Sequence, residues 1–257
     1  MPETAQFRYA QARLQARLGA RATDHDWRHP QGSGDLAGYL QAAGRTRLQA
    51  WINGLHAGHN SHAIELTLRQ HYRRHVAEVA AWLPARWAVV VRALAQLPDL
   101  PALQHLLGGN TVPAWMRDDP QLRPYTSEHP ATRAAALEAS AATAWLVSAW
   151  QREDALPEAW YEHWRRLWPR SPRQTTGLQH LGQLLLGHLR QLQADPGAGT
   201  DWHREQLLHR LTAAFRRYSF QPAATCALTG IIALDLERLR ADLVERALFA
   251  GRGKATP

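Results

Sequence analysis

The closing stretch, Ile231-Ile-Ala-Leu-Asp235-Leu-Glu-Arg-Leu-Arg240-Ala-Asp-Leu-Val-Glu-Arg246, leaves the chain little choice of architecture. Ile232, Leu236, Leu239, Leu243 and Ala247 fall on one face at the helical period, and Asp242 and Arg246 stand one turn apart on the other. Leu and Ala dominate the rest, while strand-like runs of Val, Ile and Thr are scarce; Val89-Val90-Val91 is the best exception and lies inside a longer helical pattern. The fold class this implies is all-α, a multi-helix bundle. With 257 residues the chain can bury a substantial core, as one large domain or as two packed helical subdomains.

Punctuation sets the element order. A first helix is expected over 5–21, with Phe7, Leu14 and Leu18 on one side and Arg13, Arg17 and Arg21 beside them. Residues 24–34 read as a loop, followed by short helices near 35–43 and 46–56. Asn60-Ser61 caps the next helix, Pro84 stops it, and another begins at Trp87 and ends at Pro98. Asp99 then caps a short helix with Pro101 in its first turn.

Residues 108–130 hold Gly108-Gly109, Pro113, Pro120, Pro124 and Pro130. They read as a linker between an N-terminal bundle over 1–107 and a C-terminal one over 131–250, or as an ordered loop anchored by Trp115 and Met116. Beyond it, helices are expected over 131–152 (using Leu137, Ala141, Trp145 and Ser148), 156–168, 174–194, and from Thr200 or Asp201 to Ser219. A core helix near 222–231 and the closing helix follow, and 251–257 reads as a frayed tail.

The formal charge is +8, and Lys254 is the only lysine among 30 basic residues. Arginine suits bidentate pairing with carboxylate or phosphate, although a GC-rich genome gives the same bias without functional meaning. Residues 1–84 carry ten Arg against six acids, 171–257 eleven bases against seven, and 85–170 nine of each. An acidic partner or phospholipid surface is drawn first to the chain ends. Cys226 is the only cysteine, which excludes an intrachain disulfide and fits a reducing cytoplasm. The opening segment lacks the apolar run of a signal peptide, and no stretch of about 18 apolar residues is present to span a bilayer.

Catalytic signatures are weak. His71, His75 and Glu78 lie on one helical stripe, and His62 with Glu65 lies three turns earlier on the same helix; these groups offer a transition-metal site or simply solvated or capping histidines, and neither His-Glu-x-x-His nor the di-iron Glu-x-x-His order occurs. Trp160, Trp164 and Trp168 recur every four residues among arginines and read as a bundle core or a nucleic-acid stacking platform. Gly251-Arg-Gly-Lys254 lacks the glycine and helix of a phosphate loop, Gly32-Ser33-Gly34 has no nucleotide-binding context, Cys226 reads as inert, and Asp118-Asp119 as solvated loop carboxylates. No catalytic, cofactor or metal residue is therefore assigned. The classes that remain open are a structural protein of a larger assembly, a basic nucleic-acid-binding helical protein, and a metal-binding helical-bundle enzyme.

Three segments together resemble the C/d family of V-type ATPase subunits, the central-stalk adaptors of rotary ATPases. They are Tyr9-Ala-Gln-Ala-Arg13-Leu-Gln-Ala-Arg17-Leu; the succession from Asp35 through Ala42 and His62 to Leu97-Pro-Asp99-Leu-Pro-Ala-Leu-Gln-His-Leu-Leu107; and Leu234-Asp-Leu-Glu237-Arg-Leu-Arg240. The pieces are short and spread over most of the chain. Full-length members have three related helical bundles, whereas this chain has room for about two. The resemblance implies a funnel-like helical body on the cytoplasmic face of the membrane proteolipid ring, receiving the tip of the central stalk. It also implies contacts to acidic groups of ring or stalk, for which Arg13, Arg17, Arg238 and Arg240 are the candidates.

Overall fold

A computed structural model describes residues 3–107, 110–140, 143–151, 156–194 and 200–249, which are mainly helical with no strand among them. The order is α1 (Glu3–Gly19), α2 (Asp24–Arg28), α3 (Leu36–Ala43), α4 (Gln49–Ile52), α5 (Ser61–Ala81), α6 (Ala85–Arg92), α7 (Leu100–Leu107), α8 (Ala114–Asp118), α9 (Pro130–Glu138), α10 (Ala144–Gln151), α11 (Leu156–Arg166), α12 (Pro172–Ala194), α13 (Thr200–Arg217) and α14 (Pro222–Phe249). Tight 3-10 turns link some of them, at His29–Gly32, Ala93–Asp99 and Arg123–Tyr125.

The segment over 222–249 is one continuous helix, not a core helix followed by a separate closing one. Every residue from Pro222 to Ile232 is buried, so its first three turns are enclosed on all sides. Gly230 does not stop it: a Cβ there would stand 3.1 Å from Leu211 of α13, so the missing side chain serves close packing. Beyond Leu234 the buried part narrows to Asp235, Leu236, Leu239 and Leu243; the three leucines belong to the stripe expected from the spacing, while Ala247 at its end is half-buried. α14 packs against α1, α3, α5 and α6 from the first part of the chain and against α12 and α13 from the last. Phe7, Tyr72, Trp87, Leu178, Phe215 and Leu228 accordingly belong to one continuous core. Each such side chain stabilises the fold by about 2 kcal/mol.

Several joints show why the ends of the helices lie where they do. Thr23 and Asp26 form a reciprocal capping box, so 24–34, expected as a loop, contains α2 and a 3-10 turn. Asp35 accepts from Gly38 N–H at 2.7 Å and Asn60 from Ala63 N–H at 2.9 Å, starting α3 and α5. Val90 and Val91 are buried within α6, which tightens at Ala93, before Pro98, into the 3-10 turn. The helix expected over 131–152 is two helices: the Thr143 hydroxyl donates to Leu137 O at 2.9 Å, and the backbone restarts from Ser140 O. Ala141 lies outside the described residues, as do 195–199 and 250–257. The Pro-rich stretch carries α8 and a 3-10 turn, with Met116, Asp119 and Leu122 buried. Arg133, itself buried, fastens this stretch by donating to Leu106 O at the end of α7 and to Ser127 O.

Candidate functional site

The polar heart of the molecule is a chain of arginines and carboxylates along α5. Glu65, Arg69 and Arg73 recur every four residues and so share one stripe of the helix. Arg73 donates to Asp99 at 2.7 Å and to both carboxylate oxygens of Asp119 at 3.4 Å. Arg69 reaches Asp119 at 3.5 Å and Glu65 at 3.2 Å, and Arg240 of α14 donates to the other oxygen of Glu65 at 3.0 Å. Three guanidiniums thus meet three carboxylates. Asp119 is fully buried and also accepts from Gln121 N–H at 2.9 Å. The expectation of a solvated Asp118-Asp119 pair holds for exposed Asp118 and fails for Asp119, because α8 turns Asp119 inward onto two arginines of α5.

Asp99 likewise points to Arg73. Burial pushes its carboxyl above the ordinary range, with the guanidinium pulling the other way. Burial alone would weaken the Arg73 charge, but Asp99 and Asp119 raise its pKa and hold it protonated. Trp115 lies over Arg69 at 4.6 Å, and His62 stacks on the same indole at 5.7 Å between ring centroids. The network therefore ties α5, α8, the 3-10 turn before α7 and α14 together through saturated charge pairs.

The four candidate contact arginines fall in three places. Arg13 and Arg17 of α1 converge on Glu78 of α5; Arg13 also lies over Trp82 at 4.5 Å and donates to the Tyr9 hydroxyl at 2.8 Å. Arg238 lies over the Trp27 ring of α2 at 4.5 Å. Arg240 faces α5 through Glu65. Arg13, Arg17 and Arg240 keep about half of their side-chain surface in solvent, so a partner reaches them in competition with their own carboxylates. Sequence reading missed the long-range pair of Arg21 with Asp235, which is bidentate at 2.7 Å and pins the segment after α1 to α14. No local spacing announces a pair 214 residues apart.

Asp242 and Arg246, placed one turn apart, do not spend themselves on each other's side chains. The Asp242 carboxylate accepts from Gln31 Nε2 at 2.8 Å and the Tyr39 hydroxyl at 2.9 Å. Arg246 donates to the Asp242 backbone carbonyl and Ser33 O and lies over the Tyr39 ring. Ser33, singled out within Gly32-Ser33-Gly34, thus serves the joint to α14.

The histidine stripe is divided among other tasks. His71 Nε2 meets Asn53 O at 2.9 Å, its Nδ1 meets Arg74, and Trp51 packs edge-on against both His71 and His75. His75 is buried, which lowers its pKa to about 4, with Arg17 adding to the effect and Glu78 opposing it. Among the described residues no group of three or more His, Cys, Asp or Glu is arranged to hold a metal ion. Trp160 and Trp164 are fully buried and stacked at 5.5 Å, and Trp164 Nε1 donates to Val90 O at 2.9 Å, so this pair is core and offers no face to a nucleobase. Cys226 is buried within α14, and burial pushes its thiol up. The Gly251–Lys254 motif lies outside the described residues. The chain matches no protein-family model, no curated protein and no solved structure.

Proposed function

We propose that this chain is a non-catalytic central-stalk adaptor of a V-type rotary ATPase, joining ATP-driven rotation of the stalk to the membrane proteolipid ring for ion transport. The single observation that carries the reading is α14, a 28-residue helix with its first three turns enclosed and both parts of the chain packed on it. A part that transmits torque without bond-making needs stiff, interdigitated helices, and stiffness follows from close packing and saturated polar pairs. The resemblance supports the same reading: its first and third segments lie on α1 and α14, which pack together, and its second ends on α7.

Among the described residues no helix is long and apolar enough to cross a membrane, so in this reading the chain sits on the cytoplasmic face and is held there by its partners. Affinity purification of the tagged native protein from detergent-solubilised membranes tests it. The stalk and ring proteins are expected to co-purify, and the isolated chain to hydrolyse no ATP. Recovery as a monomer, from cells that assemble the whole complex, contradicts the reading.

A further inference from the structure

The end of the molecule where α13 turns into α14 has a different character from the arginine network. Phe220, in that turn, is 56% exposed and holds φ at 65°, a left-handed conformation that a bulky residue rarely adopts. Its N–H donates to Oε1 of buried Gln11 at 3.0 Å, which fixes the turn and aims the ring outward. Beside it lies an open crevice of about 480 Å³ lined by Thr4, Phe7, Arg8, Gln174 and Phe220. Three glutamine amides border this place. Gln174 Oε1, Gln221 Oε1 and Gln11 Nε2 are buried atoms with no hydrogen-bond partner among the described residues.

The charge that lines the crevice is positive: its lining includes Arg8 and no carboxylate. Arg8 lines the crevice, Arg173 precedes Gln174, and Arg216 and Arg217 form the last turn of α13 just before Phe220. All four are exposed, and none makes an ion pair among the described residues. Glu3, next to the lining residue Thr4, is engaged by Arg86 and Trp87.

We propose that this end is a docking site for an acidic polypeptide segment that inserts one apolar side chain between Phe7 and Phe220. The concave wall takes a side chain, the unpaired Gln174 Oε1 in the lining takes a peptide N–H, and the arginine rim selects carboxylates. A lipid surface is flat and offers neither a side chain to the crevice nor a peptide N–H to Gln174, so a polypeptide is the better fit. The inference is independent of the rotary reading, since it rests on charge and shape at a place where none of Arg13, Arg17, Arg238 or Arg240 lines the crevice.

The test is p-benzoylphenylalanine in place of Phe220 in the full chain, irradiated in the cells that make it, with adducts mapped by mass spectrometry. The adduct is expected on a segment rich in Asp and Glu of another protein. The combined Arg8→Gln, Arg173→Gln, Arg216→Gln and Arg217→Gln variant is expected to lower its yield by at least about tenfold. The one ring contact among these arginines is Arg217 over its neighbour Tyr218, so the variant should fold, and unchanged thermal unfolding by circular dichroism verifies that. Should the variant unfold, raising salt from about 0.05 to about 0.5 M during irradiation of a lysate must lower the wild-type yield instead. Adducts on lipid, on a second copy of the chain or on a neutral or basic segment overturn the proposal. So do the absence of any adduct and a yield insensitive to both charge neutralisation and salt.

Discussion

Phe220 separates backbone strain from side-chain chemistry. At φ 65° an L-residue with a Cβ is crowded in a way that glycine is not. Phe220→Gly is expected to be more stable than Phe220→Ala by about 1 kcal/mol in urea unfolding, because both remove the ring and only one relieves the backbone. Equal stability of the two would place the strain elsewhere. His75 makes a prediction in pH. Its pKa falls from 6.5 to about 4 in the folded chain, chiefly through burial, so the unfolded state binds the proton first on acidification. The stability it supports is present above pH 6.5 and is lost as pH falls toward 4, by up to about 3 kcal/mol. Nε2 has no partner among the described residues, so His75→Leu leaves no donor stranded and should keep stability at pH 7 while flattening the acid-side decline. Urea titrations of the two proteins at several pH values check this.

At the scale of elements, Asp119 holds α8 against α5. Asp119→Ala leaves Arg69 and Arg73 short of their shared carboxylate and is expected to cost about 3 kcal/mol, with faster protease cleavage within 110–130; Asp118→Ala, at an exposed site, should change neither. Close helix approach is tested at Gly177 of α12. A Cβ there would meet the Ala223 Cβ of α14 at 2.8 Å, an atom that cannot swing aside, so Gly177→Ala should force α12 from α14 and cost about 1–3 kcal/mol by thermal unfolding. Most element starts are legible in the sequence, because Asn60, Asp35 and the prolines act through near neighbours. The start of α2 is equally local, since Thr23 and Asp26 stand three apart, and a fuller weighting of capping boxes finds it. The inward turn of Asp119 is not legible, since its partners lie 46 and 50 residues away.

For the whole molecule, the period-3.6 pattern carries the helical class, while the way helices gather around α14 comes from long-range packing that no local window contains. A run such as Pro222–Leu234 reads as buried in sequence, but which helices enclose it depends on the shape of Gly177, Ala223, Gly230 and Leu211 against one another. The candidate contact arginines are visible as charges, yet their intramolecular carboxylates, Glu78 and Glu65, are not. The central claim is mechanical: α14 joins the elements on both sides of 108–130 into one stiff body. Native-state hydrogen exchange followed by mass spectrometry measures this directly. The account predicts that the enclosed turns of α14 exchange at one common opening free energy together with the buried faces of α5 and α12, in a single cooperative unfolding. Distinct opening free energies for α5 and α12, with α14 following only one of them, would contradict it.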